Sequence, residues 1–251
     1  MLSAENLSIT RDGKLVLDRI STRLEPGKVT AICGPNGAGK SSLLMALASL
    51  LTPDAGAVSL DGKSLASLHP QERARQIGYL PQSAEVAWDV SVENLVRLGR
   101  LPHRDRGAAA VEAAISALEL GTLRNRPASQ ISGGEKARAL LGRVLAGEPQ
   151  WILADEPLAA LDLAHQQSLL RHLHFAAEAG TGVVIVLHDL ATAMNHADRV
   201  LVLREGRLVA DAVPALALSP ENISNIWDVK ARWIGEEGAK ALIASSETSS
   251  A

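Results

Sequence analysis

The sequence predicts an α/β fold with a β-rich N-terminal flank and an all-helical subdomain inserted into its core. Three observations carry that expectation. A compact apolar strand, Val29–Cys33, runs into a glycine-rich loop and then a helix. The stretch from Ser91 to about Gly147 is rich in Ala, Leu, Glu and Arg, with hardly any β-branched clusters. Two apolar strands around a helix then return after residue 150, in the rhythm of parallel βαβ units.

In chain order, Leu7–Thr10 and Val16–Leu17 read as short strands and Val29–Cys33 as a strand that stops at Gly34. Ser41–Leu51, rich in Leu, Ala and Met, predicts a helix that ends before the turn Thr52-Pro53-Asp54. Ala57–Leu60 and Ile77–Leu80 read as strands, with Asp61-Gly62 as a turn. Val92, Leu95, Val96 and Leu98, then Val111, Ile115 and Leu118, recur at helical spacing. Trp151–Ala154 and Val183–Leu187 read as strands around a Leu/His/Gln-rich helix, and Arg199–Leu203 and Leu208–Ala210 as a pair around Glu205-Gly206. The expected organisation is a discontinuous core over 1–82 and 150–244, a helical subdomain over 83–149, and a disordered polar tail over 245–251.

Composition removes several functions. The chain has 251 residues, enough for a sizeable core without staples. Its 25 Lys+Arg and 28 Asp+Glu give a net charge of -3, which argues against wrapping duplex DNA, and no nucleic-acid partner is expected. Aromatics are 2%, too few for a platform on which bases stack. The single Cys33 excludes an internal disulfide and is expected to be a small buried apolar residue. The start has no basic region followed by a long apolar stretch, and no run reaches about 18 apolar residues, so neither a secretory signal nor a membrane span is expected.

Gly34-Pro35-Asn36-Gly37-Ala38-Gly39-Lys40-Ser41 fits G-x-x-x-x-G-K-[ST], and it lies where the motif works, between an apolar strand and a helix. Such a loop curls so that successive N–H groups face phosphate oxygens, and the helix start adds its positive dipole end. Lys40 would reach the β- and γ-phosphates of ATP, the Ser41 hydroxyl would ligate Mg²⁺, and Ser42 continues the cradle. Trp151–Ala154 ends in Asp155 and Glu156. Asp155 suits a Mg²⁺ contact, and Glu156 suits orienting or deprotonating an attacking water. Ser132-Gly133-Gly134-Glu135 begins a second helix, with Ser132 at its N-cap and glycines that allow an anion close to the backbone.

With these pieces the chain resembles the ATP-binding cassette (ABC) ATPases, over nearly its whole length. It carries the family's motifs in order: Walker A (Gly34–Ser41), Q-loop (Gln82), signature (Ser132–Glu135), Walker B (Ile152–Glu156), D-loop (Leu161-Asp162) and switch histidine (His188). The resemblance implies a P-loop NTPase (RecA-like) core and two cassettes paired head to tail. Each ATP would lie between Walker A of one copy and the signature of the other. It also implies that Gln82 contacts Mg²⁺ or the water and senses a membrane partner, that Asp162 lines the subunit interface, and that His188 holds the γ-phosphate and positions Glu156. Two positions depart from the pattern. Arg11 stands where many cassettes stack an aromatic on adenine, which implies weak selectivity between ATP and GTP, and the signature reads ISGGE in place of LSGGQ.

Arg73–Gln82 and Ser91–His103, with its Gly99-Arg100-Leu101-Pro102-His103, look like the ATPase subunits of importers for ferric siderophores, haem and cobalamin. That implies a homodimer at the cytoplasmic face of the inner membrane, bound to integral permease subunits and served indirectly by a substrate-binding protein. The alternative is a soluble cassette ATPase of iron–sulfur cluster assembly. A groove beside the Q-loop would receive a helix of the permease, and Val86, Trp88, Val90 and Leu101 either contact it or pack the domain. No regulatory domain is expected after Leu218–Ile234, where Trp227 and Trp233 would anchor a packing segment. Arg73, Arg75, Arg104 and Arg106 are expected on a solvated face, as are His165, His172 and His174.

Overall fold

The protein is described by a computed structural model, which covers residues 1–82, 90–159 and 161–245. The chain opens with β1 (Leu2–Arg11), β2 (Lys14–Leu24) and β3 (Val29–Cys33), followed by α1 (Lys40–Leu47), β4 (Ala55–Leu60) and β5 (Lys63–Ser64). Next come α2 (Pro70–Gln76) and β6 (Ile77–Leu80), then α3 (Val92–Arg97), α4 (Ala108–Ala117) and α5 (Gly133–Ala146). The second half holds β7 (Trp151–Asp155), α6 (Leu163–Glu178), β8 (Gly182–Val186), α7 (Leu190–His196), β9 (Arg199–Arg204) and β10 (Arg207–Ala212). It closes with α8 (Pro214–Ala217), α9 (Pro220–Trp227), β11 (Lys230–Ile234) and β12 (Ala241–Ser245).

Two sheets enclose α1. One has the order β10-β9-β3-β8-β7-β6, parallel from β9 to β6 with β10 antiparallel at the edge; the other has the order β2-β1-β4-β5 and is antiparallel. The central strands β3, β7 and β8 are buried along their whole length and mostly apolar because both of their faces are covered. Alternate residues divide between two cores: Ala31, Ile152, Val183 and Val200 face one, and Ile32, Leu153, Val184 and Leu201 face the other. The second core is closed by Leu43, Leu44 and Leu47 of α1 against Leu7, Ile9, Leu17 and Ile20, and each such leucine contributes about 1.5–3 kcal/mol on burial. Among the described residues, only helical and irregular segments lie between β6 and β7, and α5 packs there on α3 and α4.

The Gly99–His103 segment ties this helical block together. Arg100 is buried, with its guanidinium on Asp105 (2.7 Å), Glu148 (2.6 Å) and the Ala146 carbonyl (3.1 Å), and His103 Nε2 meets the Gly147 carbonyl at 2.9 Å. The Pro102 carbonyl accepts from Gln71 (2.6 Å) and Arg75 (2.9 Å) of α2.

Several expectations need correction. The first two strands run 10 and 11 residues, well beyond the apolar runs that mark them, because their outward positions are polar and carry no apolar signal. The first helix stops at Leu47, and Ser49 turns at φ 55°. Helix α2 has no periodic apolar face, the β11–β12 hairpin lays Ala231, Trp233 and Leu242 on the core in an alternation too short to read, and Ser245, expected in a tail, pairs with Lys230 in that hairpin. Arg73 does not simply face solvent: it bonds Ser49 Oγ at 3.0 Å. Nor do His165, His172 and His174, which are half-buried, with the His174 ring centroid 5.7 Å from that of His196. Val90 packs on the core, Trp233 donates to the Leu218 carbonyl at 2.7 Å, and Val86, Trp88 and residues 246–251 lie outside the described residues.

Candidate functional site

The site begins where β3 ends. The chain turns through 34–39 and enters α1 at Lys40, whose Nζ donates to the carbonyls of Gly34 (2.9 Å) and Pro35 (3.0 Å). Lys40 is only 6% exposed, and this burial lowers its pKa. Gly39 sits at φ 98°, and a Cβ there would lie 2.6 Å from the Val16 carbonyl, so the loop can press against β2 only with glycine at this position. The first turn of α1 has neither a side-chain cap nor an acidic residue, which leaves its N–H groups and dipole for an anionic ligand.

β7 delivers two acids in succession, to different places. Asp155, 5% exposed, accepts from the Ser41 hydroxyl at 3.0 Å and also interacts with the hydroxyl of Tyr79. Burial raises the Asp155 pKa, and burial beside this carboxylate pushes the Tyr79 phenol up to about 12. Glu156 follows at φ 47°, a left-handed conformation that costs a non-glycine residue energy and is a recurrent feature of functional sites. One Glu156 oxygen accepts from Gln82 Nε2 at 2.5 Å, and the other is bonded to His188 Nε2.

A single cleft is lined by Asn36, Gly37, Gly39, Lys40, Ser41, Ser42, Gln82, Glu156 and His188, with Val16 on its flank. Pro35 and Ala38 face an adjoining cavity with Lys14, Leu15 and Arg204, and Asp155 lies behind Ser41. Arg11 is not part of this lining. The Asp12-Gly13 turn pairs it with Lys14 at the exposed hairpin tip, and Val16 is the residue of this hairpin that lines the cleft. Ser132, Gly133, Gly134, Glu135 and Asp162 also lie outside the cleft lining. Ser132 caps α5, and the Glu135 carboxylate accepts from the Ser132 N–H at 2.7 Å, which together form a capping box. That backbone hydrogen bond, foremost, holds the Glu135 pKa below its usual value. Asp162 caps α6, and the backbone N–H of His165 is the main cause of its lowered pKa. Sequence reading missed Val16 and Tyr79; the alternation of Ile77 and Tyr79 on β6 is the signal that points the tyrosine toward the α1 side of the sheet.

A positive cradle, a hydroxyl–carboxylate pair and a doubly held carboxylate on one cleft are parts that bind and hydrolyse a nucleoside triphosphate. The family model for ABC transporters matches residues 17–159. The chain belongs to the ABC transporter family. As an ABC ATPase it binds and hydrolyses nucleotide. The cassette is 42% identical over 237 residues to the hemin import ATP-binding protein HmuV of Pseudomonas entomophila, covering 91% of this chain and 93% of that one. It is 40% identical to the protein of the same name from Rhodococcus jostii, covering 90% and 79%. Among solved structures it is similar to cbiO1 of Clostridium perfringens, part of the ABC transporter complex cbiONQ, with a TM-score of 0.78 at 27% identity, covering 89% and 92%. It is also similar to MJ0796, a bacterial ABC transporter cassette with a dimeric structure, with a TM-score of 0.75 at 25% identity, covering 85% and 99%.

Proposed function

We propose that this cassette is the ATP-hydrolysing subunit of an importer for haem, working as a homodimer on integral permease subunits at the cytoplasmic face of the inner membrane. The observation that carries its chemistry is the Glu156 carboxylate, held by Gln82 and His188 beside the Lys40–Ser41 cradle. In this reading Lys40 and the loop N–H groups neutralise charge on the β- and γ-phosphates. Glu156 orients the attacking water and takes its proton, while His188 keeps the carboxylate in register and steadies the γ-phosphate.

The Ser41 hydroxyl and Asp155 carboxylate are hard oxygen donors 3.0 Å apart beside the cradle, a set that fits Mg²⁺ completed by phosphate oxygens and water, with Gln82 as a further ligand. The ion supplies charge neutralisation at the phosphates. Ser132–Gly134 and Asp162 are absent from their own chain's cleft, which supports their use by the nucleotide of a second copy.

Relatives named hemin import ATP-binding proteins support haem as the transported substrate and count against iron–sulfur assembly. Haem itself would be handled by the permease and by a substrate-binding protein that reaches this cassette only through it. A groove between β6, α2 and the helical block holds Ala74, Tyr79, Leu98, Leu101 and Arg143, and Leu101 is 70% exposed. We assign it to a short permease helix. Among the described residues no helix is long and apolar enough to cross a membrane. The test is affinity capture of the cassette from detergent-solubilised membranes, followed by haem uptake in proteoliposomes. Co-purification of a polytopic chain that raises ATPase activity and imports haem supports the reading; capture with soluble assembly factors alone overturns it.

A further inference from the structure

His165 joins two elements that the proposed dimer uses and that the sequence leaves unconnected. It lies in the first turn of α6, three residues after Asp162. The Asp162 Oδ1 accepts from the His165 backbone N–H at 2.9 Å and contacts the ring Nδ1 at 2.7 Å. One carboxylate therefore caps the helix and fixes the imidazole. The far side of the ring lies on the start of α5: a Cβ built on Gly134 would fall 2.1 Å from His165 Cδ2 and 2.5 Å from Nε2. Gly134 is buried at this contact, while Ser132 and Gly133 beside it stay exposed. The imidazole thus occupies the space that any side chain at 134 would fill, and it spans the gap from Asp162 to the signature turn.

We propose that His165 is a positioning residue that sets the Ser132–Gly134 turn relative to Asp162, so that both reach a second copy as one rigid unit. The dimer half rests on the function proposed above; the strut itself does not. An imidazole fixed at one nitrogen by a carboxylate has little rotational freedom, so it transmits a displacement of Asp162 to α5.

The test compares His165→Ala, which removes the strut, with His165→Asn, whose side-chain N–H can reach the same Asp162 oxygen. In the isolated chain, His165→Ala is expected to raise amide exchange over 131–137 about fivefold, the equivalent of one net hydrogen bond. His165→Asn should recover part of the loss. Binding of a fluorescent ATP analogue to the monomer should stay within about twofold, because His165 is not in the cleft lining. In a Glu156→Gln background, ATP-dependent dimerisation followed by sedimentation should weaken about 25-fold for His165→Ala, two struts being lost. Unchanged exchange over 131–137 overturns the proposal, as does an equal loss of nucleotide binding, which would mark a general unfolding. Altered exchange in a chain whose Glu156→Gln parent never dimerises would sustain the strut and remove the dimer reading alone.

Discussion

Gln82 donates a 2.5 Å hydrogen bond to the Glu156 carboxylate, joining positions 74 residues apart, and His188 holds the other oxygen of the same group. The acid is held from both sides. This arrangement makes Glu156 the residue whose charge, not bulk, should matter. Glu156→Gln is therefore expected to bind MgATP within about twofold of the wild type while turnover falls about 10²- to 10⁴-fold, the usual weight of a positioned acid or base. Phosphate release and equilibrium binding on the same preparation check both halves, and turnover within tenfold of the wild type would remove Glu156 from its role.

Lys40 is buried and already turned toward the loop by the Gly34 and Pro35 carbonyls. A charge-assisted hydrogen bond to phosphate is worth about 1.5–3 kcal/mol, so Lys40→Ala should weaken nucleotide binding about 10- to 100-fold. Titration calorimetry checks this. Unaltered affinity would mean that the backbone cradle alone carries the phosphates.

Tyr79 interacts with Asp155, the carboxylate that Ser41 also bonds. Tyr79→Phe keeps the ring in its place on β6 and removes only the hydroxyl. The expected outcome is a Mg²⁺ concentration for half-maximal ATPase activity about twofold higher, the low end for a polar contact, with ATP binding in EDTA unchanged. A shift of both by the same factor would point to lost packing.

The caps of α5 and α6 depend on ionised Glu135 and Asp162, whose pKa values lie below normal in the folded chain. A carboxylate depressed on folding adds stability above its unfolded pKa and loses it as the pH falls through the folded value. Both helix starts should therefore hold at neutral pH and fray only in acid, below about pH 4. Amide exchange over 132–136 for α5 and 162–166 for α6, at several pH values, reads this directly. Glu135→Gln, which can still accept from the Ser132 N–H, should abolish the acid sensitivity at α5 and leave that at α6.

Arg100 is 8% exposed at its side chain, whereas its partners Asp105 and Glu148 are 49% and 65% exposed. Solvent screening on the acid side reduces each pair, so Arg100→Met should cost about 1–3 kcal/mol in all. For a chain of this size that is a Tm lower by about 2–10 °C. Calorimetry checks it, and nucleotide affinity should stay as it was, since the ion pairs lie in the helical block.

Much of the core could be read from local chemistry. Val29–Cys33 and Ile77–Leu80 were bounded to the residue by their apolar runs, and Ser132 and Glu135 are spaced as a capping box. The β11–β12 hairpin was not legible as strands, since its outward positions carry no apolar signal, and its anchors, Trp233 on the Leu218 carbonyl and Lys240 on the Asn195 side chain, are contacts between distant residues.

What the sequence determined by itself is chemistry that rests on neighbouring residues: a glycine-rich turn between strand and helix, a lysine and serine at the helix start, and two acids closing an apolar strand. Folding decided how these meet. Gln82, Glu156 and His188 lie on separate segments, and only the parallel order of β6, β7 and β8 brings them side by side. Likewise Val16 replaces Arg11 at the cleft and the half-buried His165 ring packs on Gly134, because strand register and helix packing act between residues far apart in the chain.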